Sequence, residues 1–304
     1  QTAEQSVRAI KLLKDAGFKI NLHLMPNLYG STPAKDLAMF QKIYTDGDYM
    51  PDMVKIYPCV VNEHADLYKL YRQKKYRPYT QKQLIDLIVK IKKITPPWVR
   101  ITRLIRDIPE ESIVAGNKTT NLRQLIAQQA QKDGWTCQCL RCREAGHGNE
   151  LPARIATPAS NASRSDASWQ SVAGGRIMNY ELRIKEYQAS GGQEYFLSYE
   201  SEDEKTLYAF LRLRLNDDPE KNSLPELRGC ALIRELHTYG QALEIGGRGQ
   251  VQHLGLGKGL LQAAEKIAQE NELKKIAVIA GIGVRQYYQK FGYKLIGSYM
   301  IKIL

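Results

Sequence analysis

QHLGLGKGLLQAAEKIAQEN (residues 252–271) is the stretch that decides the fold of the C-terminal half. It starts with closely spaced glycines and continues as an amphipathic helix, whose packing face carries Leu260, Leu261, Ala264 and Ile267. Glycines let backbone amides approach a ligand, and a helix start favours negative charge. The spacing is neither the dinucleotide G-x-G-x-x-G nor a G-K-[ST] phosphate loop. A pyrophosphate, another helix or nothing at all could therefore lie against this backbone.

The segments around this loop predict a mixed α/β domain over residues 176–304. Strand patterns precede and follow the loop, at 194–201, 207–215, 229–240, 274–281 and, closing the sheet, 294–304. A short helix is predicted over 284–293, ending at Gly292. The glycine loop thus lies between two predicted strands of one sheet, a position that suits ligand binding.

The first hundred residues alternate between helix and strand patterns. Helices are predicted over 4–16, 36–46 and 81–94, and buried strands over 19–26 and 52–61. Such alternation is typical of a parallel sheet covered by helices. A complete eight-unit barrel needs roughly 200 residues or more. Residues 1–95 are therefore expected to form the C-terminal part of a TIM-type barrel whose start is absent.

Positive charge is concentrated in one part of the chain. The whole sequence carries a net charge of +12, and residues 64–106 hold twelve Lys or Arg against two Asp. The arginines at 100, 103 and 106 recur at intervals of three, which places them near one face of a helix or on alternate sides of a strand. The charges are either a solvated surface or a polyanion-binding surface. The nucleic-acid-binding candidates are Lys74, Lys75, Arg77, Arg100, Arg103 and Arg106.

Three of the five cysteines crowd into residues 96–150, a segment predicted to be a basic, zinc-binding linker. Their pattern is C-x-C-x2-C-x4-H, formed by Cys137, Cys139, Cys142 and His147. Three thiolates and an imidazole at this spacing suit tetrahedral zinc, although three reduced thiols or an iron–sulfur cluster are alternatives. Five cysteines are too few for a disulfide framework, which favours a reducing compartment.

The remaining segments carry little patterning. Residues 151–175 are rich in Ala and Ser without periodicity and are interpreted as a flexible loop. No run of about 18 apolar residues occurs, so no membrane span is expected. The N-terminus lacks the apolar stretch of a signal peptide. A cytoplasmic location is the expectation.

Several motifs resemble known families. The loop Q-x-x-G-x-G and the later Y-x-K-x-G-Y (residues 288–293) resemble the GCN5-related N-acetyltransferase superfamily, in which the loop holds the pyrophosphate of coenzyme A. RELHTYG, with the front motifs KDAGFKINLHLMPNLYG, VKIYP, PPWVRITRLIRDIP and CREAGH, looks like the family of Elongator catalytic subunits, in its bacterial or archaeal form. The likeness covers nearly the whole chain apart from the Ala/Ser-rich segment.

The resemblance implies a radical S-adenosylmethionine barrel joined to an acetyltransferase domain. Such proteins use acetyl-CoA and S-adenosylmethionine to convert the wobble uridine of transfer RNA to its 5-carboxymethyl form, with the anticodon stem-loop as substrate. The family's N-terminal iron–sulfur cysteines do not occur in this sequence. The expectation is that this chain binds acetyl-CoA and transfer RNA only, as a homodimer or with partner subunits. The alternatives are a protein lysine acetyltransferase and a non-catalytic transfer RNA-binding fragment.

The resemblance also implies roles for individual residues. The pantetheine arm would run along Glu235, Leu236, His237 and Thr238. The pyrophosphate would lie against Gln252, Gly255, Leu256, Gly257 and Lys258. Tyr288 would be a general acid for the leaving thiolate, with its neighbour Tyr287 as the alternative and core packing as the plain interpretation. His237 is a second catalytic candidate or an ordinary strand histidine.

Overall fold

The computed structural model describes residues 2–145, 168–173, 176–239 and 255–304. These residues form two compact units. One comprises residues 20–142 and contains a sheet of three strands; the other comprises residues 1–19 and 143–304 and contains a sheet of eight. We call them the three-stranded unit and the eight-stranded unit.

Helices and strands are interspersed along the first part of the chain, whereas the second part begins with a run of strands and then continues with helices and strands interspersed. The helices are α1 (Ala3–Asp15), α2 (Pro33–Thr45), α3 (Asp66–Arg72), α4 (Gln81–Ile94), α5 (Leu122–Lys132), α6 (Leu140–Arg143), α7 (Leu256–Glu270) and α8 (Arg285–Gln289). The strands are β1 (Asn21–Leu24), β2 (Met53–Ile56), β3 (Arg100–Arg103), β4 (Ser168–Ala173), β5 (Arg176–Gln188), β6 (Gly192–Ser201), β7 (Leu207–Asn216), β8 (Cys230–Thr238), β9 (Lys275–Ile279), β10 (Lys294–Ile296) and β11 (Tyr299–Ile303).

The three-stranded unit is a parallel α/β arrangement with strand order β1-β2-β3. Helix α4 begins at a capping box, in which the Thr80 hydroxyl accepts from the Gln83 amide and the Gln83 side chain accepts from the Thr80 amide. Its apolar face is fully buried with the strands, through Leu84, Leu87, Ile88 and Ile91 against Val54, Ile56 and Ile101. The predicted helix–strand alternation and α/β class are confirmed.

Residues 96–106 contain the strand β3. The arginines therefore lie on a strand and its continuation and not near one face of a helix. Pro96 and Pro97 end the preceding helix, and β-branched residues at 99, 101 and 102 favour extended backbone. Arg100 is half-buried on β3, whereas Arg103 and Arg106 are exposed. The three arginines therefore do not share one helical face.

The eight-stranded unit is a mixed sheet of order β10-β11-β9-β8-β7-β6-β5-β4. All pairs are antiparallel except β8 with β9, and helix α7 lies in the connection between these two strands. The predicted packing face of α7 is buried in the main core of this unit, with Leu260 and Ala264 completely enclosed. The glycine loop thus stands where a parallel crossover enters its helix.

The end of the Ala/Ser-rich segment differs from the predicted loop. Strand β4 pairs antiparallel with β5, in a register that joins Ser168 to Glu181 and Ala173 to Arg176. The signal for this hairpin was present, because Gly174 and Gly175 separate two stretches that contain Trp169, Val172 and Ile177. Residues 151–167 lie outside the part of the chain that the structure describes.

Helix α1 groups with the eight-stranded unit rather than with residues 20–95. The Asp15 carboxylate accepts from Arg214 at 2.6 Å, and the Asp15 carbonyl accepts from Asn222 at 2.7 Å. The Tyr299 hydroxyl donates to the Ala16 carbonyl at 2.8 Å. Sequence spacing shows that this helix precedes a strand of one sheet, but not that its C-terminal end hydrogen-bonds to residues between 199 and 283 positions later.

Candidate functional site

The glycine loop enters α7 at Gly255, which has a left-handed backbone (φ 76°) and is exposed. A β-carbon at this position would meet none of the described residues within 4 Å. The Gly259 amide donates to the Gly255 carbonyl at 2.8 Å, so the amides of residues 256–258 come before the first helical hydrogen bond. Within the described part of the chain, no side chain caps this end of the helix. The result is an open helix start with donors directed outward, which suits an anion.

The other two glycines of the loop serve close packing. A β-carbon on Gly257 would lie 2.6 Å from the Tyr287 hydroxyl oxygen, and one on Gly259 would lie 2.5 Å from that of Tyr199. Both separations are too short for any side chain to fit without movement of the tyrosines. Gly255 therefore provides the open approach, while Gly257 and Gly259 let tyrosine hydroxyls reach the helix backbone.

The two adjacent tyrosines of α8 have different surroundings. Tyr288 is buried in the core, with its ring 5.7 Å from that of Tyr293, and burial raises its pKa to about 12. Tyr287 is half-buried, and its hydroxyl is the group that lies beside Gly257. Burial raises the pKa of Tyr287 as well, so both phenols are protonated at neutral pH. The hydroxyl next to the helix start is that of Tyr287.

The predicted pantetheine strand presents its side chains on two faces. Leu236 packs on the α7 side, where it lies 3.8 Å from a β-carbon built on Gly257. Glu235 and His237 point to the opposite face, because they pair in register with Arg212 and Phe210. The His237 ring is exposed and lies 4.5 Å from that of Tyr239. The backbone of β8 can still line the loop, but the imidazole is on the other face from Tyr287.

Glu235 is held by two cations that the sequence did not single out. It accepts from Arg212 Nε and from Lys19 Nζ, both at 3.0 Å. Burial alone would raise the pKa of this carboxyl, but the two cations hold it below its usual range. Glu235 is therefore an ionised member of a charge network. An ionised carboxylate held by two cations can position neighbouring groups but has no proton to donate.

The three cysteines predicted to bind metal are brought together. The sulfurs of Cys137, Cys139 and Cys142 all lie within 4.8 Å of one another. Cys137 and Cys139 are buried beside α4 and α5, and Cys142 is exposed. Hydrogen bonds from the other two thiols lower the pKa of Cys142 to about 2, with a further contribution from the Lys92 charge. His147 and Gln252 lie outside the described residues.

All of the basic candidates except the half-buried Arg100 occupy exposed positions. Lys74, Lys75 and Arg77 lie in the connection between α3 and α4, and Lys74 has a left-handed backbone (φ 59°). Arg103 forms an exposed ion pair with Asp107 at 2.6 Å. These side chains are open to solvent, as either a solvated surface or a polyanion-binding surface requires. Among the described residues, no helix is long and apolar enough to cross a membrane.

A family model and the curated relatives that match this chain agree with one another. Residues 51–132 match the Radical_SAM C-terminal domain and lie within the three-stranded unit. All of the chain aligns with "tRNA uridine(34) acetyltransferase" of Methanocaldococcus infernus at 41% identity, over 54% of that protein. It aligns with "Elongator complex protein 3" of Schizosaccharomyces pombe at 37% identity, over 52%. The chain spans about half the length of the curated relatives it matches.

A solved structure extends the likeness to three dimensions. The archaeal M. infernus Elp3 with N-terminus deletion (1-46) superimposes with a TM-score of 0.83 at 40% identity. The match covers all of this chain and 67% of that one. Both units of the chain therefore have counterparts in one solved protein.

Proposed function

This chain belongs to the family of Elongator complex protein 3 and the tRNA uridine(34) acetyltransferases, and on that premise we propose that it acts in 5-carboxymethylation of the transfer RNA wobble uridine. Acetyl-CoA would supply the two-carbon unit. The eight-stranded unit would bind the coenzyme, and the three-stranded unit would form part of the barrel wall. The anticodon stem-loop would be the RNA substrate.

The observation that carries the proposal is the open start of α7. Gly255 leaves room for a ligand, and the amides of residues 256–258 point away from the helix at its positive end. A pyrophosphate carries the charge and the acceptor oxygens that such donors require. Lys258 is exposed on the first turn and adds a cation beside the same position. The reactive end of the coenzyme would then lie toward Tyr287 and β8.

The chain's own contribution to the chemistry is a proton donor for the departing thiolate. When the thioester is hydrolysed, the sulfur of coenzyme A leaves as a thiolate anion. A nearby phenol stabilises it by donating a proton. The resemblance to the family motif implies this role for Tyr288, whereas the hydroxyl beside Gly257 belongs to Tyr287. We therefore assign the proton donor to Tyr287 and the packing role to Tyr288.

We propose zinc as the ion of the cysteine cluster. Zinc–sulfur bonds of about 2.3 Å at a tetrahedral centre place the sulfurs about 3.8 Å apart. The three sulfurs of this chain lie within 4.8 Å of one another, so small side-chain movements bring them to that geometry. The predicted fourth ligand is His147. Zinc in this position would tie the segment after α5 to the three-stranded unit.

The same cysteines do not fit an S-adenosylmethionine-cleaving iron–sulfur cluster. In a four-iron cluster each cysteine binds a different iron, so its ligand sulfurs stand further apart than around a single ion. The two other cysteines, Cys59 and Cys230, are buried in different units. Within the described ranges the chain therefore offers no second group of three thiols, and we assign none of its residues to cleavage of S-adenosylmethionine.

The coenzyme proposal is tested by charge reversal at the start of α7. Lys258→Glu should weaken coenzyme A binding about tenfold, because it puts a carboxylate beside the pyrophosphate, an effect of about 1.4 kcal/mol. Lys266→Glu is the matched control, since Lys266 is exposed two turns later on the same helix. Isothermal titration calorimetry measures the dissociation constant of coenzyme A for each variant. Equal affinities of the two variants for coenzyme A would refute the placement of the pyrophosphate at the start of α7.

The RNA substrate is tested by acetyl-CoA turnover. If the proposal holds, hydrolysis of acetyl-CoA by the purified protein rises on addition of transfer RNA and not on addition of lysine-containing peptides. Acetylated peptide formed without RNA would instead favour a protein lysine acetyltransferase. Release of coenzyme A, followed with a thiol reagent, measures the first outcome, and mass spectrometry of the peptide measures the second.

A further inference from the structure

Lys92 contacts the cysteine cluster with both its side chain and its backbone. It lies in the last turn of α4 and is only 5% exposed. Its ammonium nitrogen donates to the Cys142 sulfur at 3.4 Å. Its backbone carbonyl lies 3.9 Å from the Cys137 sulfur. The lysine is thus built into the wall of the cluster, although its sequence position, 45 residues before Cys137, gave no sign of this.

A buried ammonium needs an anionic partner. Lysine is almost never fully buried unless it is paired, since removal of its charge from water is costly. The ammonium of Lys92 donates to the Cys142 sulfur, and the sulfurs of Cys137 and Cys139 lie within 4.8 Å of that sulfur. The partner of this cation is therefore a thiol of the cluster that would bind the metal.

The charges explain why a cation stands there. Three thiolates and one doubly charged ion carry a net charge of −1, which a buried site does not hold without compensation. Lys92 adds one positive charge in direct contact with Cys142. Arg123, which donates to the Ile101 carbonyl at 3.1 Å, adds its field to the same three sulfurs. The three thiolates, the doubly charged ion and the Lys92 ammonium together carry no net charge.

We propose that Lys92 is a positioning residue of the zinc site, whose ammonium donates a hydrogen bond to the Cys142 sulfur and neutralises the excess negative charge of the metal–trithiolate centre. The inference rests on the zinc proposal above. It gives a buried residue outside the cysteine motif a share in metal affinity. Outer partners of metal ligands typically contribute 10–100-fold to affinity, and Lys92 is expected to fall in this range.

The test compares substitutions on one helix. Lys92→Met removes the charge and keeps the chain length, Lys92→Arg keeps the charge, and Lys90→Met is the matched control because Lys90 is exposed on α4. Zinc affinity is measured by competition with a chromophoric chelator. We expect Lys92→Met to bind zinc 10–100-fold more weakly, and Lys92→Arg and Lys90→Met to stay within about threefold of the unsubstituted protein, well below that range.

Two further readouts separate this role from simple packing. The sulfur-to-metal charge-transfer band of the cobalt-substituted protein should move to lower energy in Lys92→Met, because the sulfur loses a hydrogen bond. The melting temperature of the zinc-free protein measures packing alone. Should Lys92→Met fail to fold, Lys92→Gln keeps a polar group without the charge and takes its place in all three measurements.

Each result decides between the two proposals. If the unsubstituted protein binds no zinc, the zinc site and the Lys92 role fall together. If it binds zinc, and Lys92→Met binds zinc with unchanged affinity and an unchanged cobalt band, the zinc site stands and the role of Lys92 is refuted. A lower melting temperature of the zinc-free protein with unchanged zinc affinity would reduce Lys92 to a packing residue.

Discussion

At the scale of single residues, two neighbouring tyrosines have different surroundings, one in the core and one beside the start of α7. Tyr288 is enclosed among aromatic and aliphatic side chains of the core. Tyr287 places its hydroxyl against the backbone of α7 at Gly257. Because successive residues of a helix point about 100° apart, the chain can put only one of the two beside the loop. A motif read along the sequence identifies the pair but not the member whose hydroxyl lies beside Gly257.

The two tyrosines give a direct prediction. Tyr287→Phe should slow acetyl-CoA hydrolysis about 100-fold with nearly unchanged coenzyme affinity, because it removes a proton donor and leaves the ring. Tyr288→Phe is its matched control and should keep most of the activity. Steady-state kinetics with calorimetric binding constants measure both. If Tyr288→Phe is the slow variant, the acid belongs to the residue that the family motif indicated.

At the scale of elements, α7 packs closely against neighbouring tyrosines because Gly257 and Gly259 have no side chains. The tyrosine hydroxyls at Tyr199 and Tyr287 occupy space that a β-carbon on Gly259 or Gly257 would fill. The open conformation at Gly255 adds the backbone freedom that the entry to the helix requires. The same glycine-rich stretch thus meets two separate physical demands, a left-handed backbone at Gly255 and close packing at Gly257 and Gly259.

The packing demand can be measured by a double-mutant cycle. Gly257→Ala should lower the free energy of unfolding by about 1–3 kcal/mol, because its new methyl group overlaps the Tyr287 hydroxyl. In a Tyr287→Phe background the same change should cost distinctly less, since the next ring atom of Tyr287 lies 3.7 Å away. Urea unfolding of the four proteins gives the coupling energy. A coupling energy of zero would mean that the hydroxyl is not the obstacle.

The face of the sheet opposite α7 is joined to α1 through buried ion pairs. Glu194 is fully buried and accepts from Arg214 at 3.2 Å and from Arg234 at 2.7 Å, while Arg214 also binds Asp15 at the end of α1. Arg234 additionally donates to the Phe18 carbonyl at 2.9 Å. One carboxylate on β6 therefore helps to hold the turn that follows α1.

Removal of that carboxylate should be strongly destabilising. Glu194→Ala is expected to lower the free energy of unfolding by about 3–5 kcal/mol, because two buried guanidinium groups lose a shared anion. Glu270→Ala is the matched control; its exposed pair with Lys266, at 3.6 Å, is of the kind worth less than about 1 kcal/mol. Denaturant titration measures both values. Similar small losses would show that the buried network contributes little.

At the scale of the whole molecule, the excess positive charge is the feature most relevant to RNA. Of the predicted contact residues, Lys74, Lys75 and Arg77 are exposed together in one connection of the three-stranded unit. Arg103 is partly compensated by Asp107, and Arg100 is half-buried. The connection between α3 and α4 is therefore the better place to test for phosphate contacts than the arginines of β3.

Charge reversal there should change the salt dependence of RNA binding. If Lys74, Lys75 and Arg77 each contact a phosphate, their joint change to Glu lowers the log–log salt slope by roughly 0.7–0.9 per contact. The control reverses three exposed lysines of the eight-stranded unit, Lys221, Lys266 and Lys294, with the same change in net charge. Binding of transfer RNA is measured over a range of salt concentrations. Equal effects of the two triple variants would attribute binding to overall charge alone.

The regular elements were largely within reach of sequence reasoning. The period of apolar residues predicted α4 and the packing face of α7, because each pattern is fixed by local geometry. The hairpin of β4 and β5 was missed, because the Ala- and Ser-rich composition of residues 151–175 was interpreted as a loop. The Gly-Gly turn signal at 174–175 was not used. The short helix α3 was missed as well; none of its residues is fully buried.

The sequence by itself determined the α/β class, the glycine-rich helix start, the cysteine cluster and, through its motifs, the family. These features depend on residues close together in the chain. Only the tertiary structure decided that Tyr287 faces the loop, that His237 faces away from it, and that Lys92 lies against Cys142. Each of these depends on which face of a helix or strand meets which neighbour. Such contacts join distant positions and arise only when the elements pack.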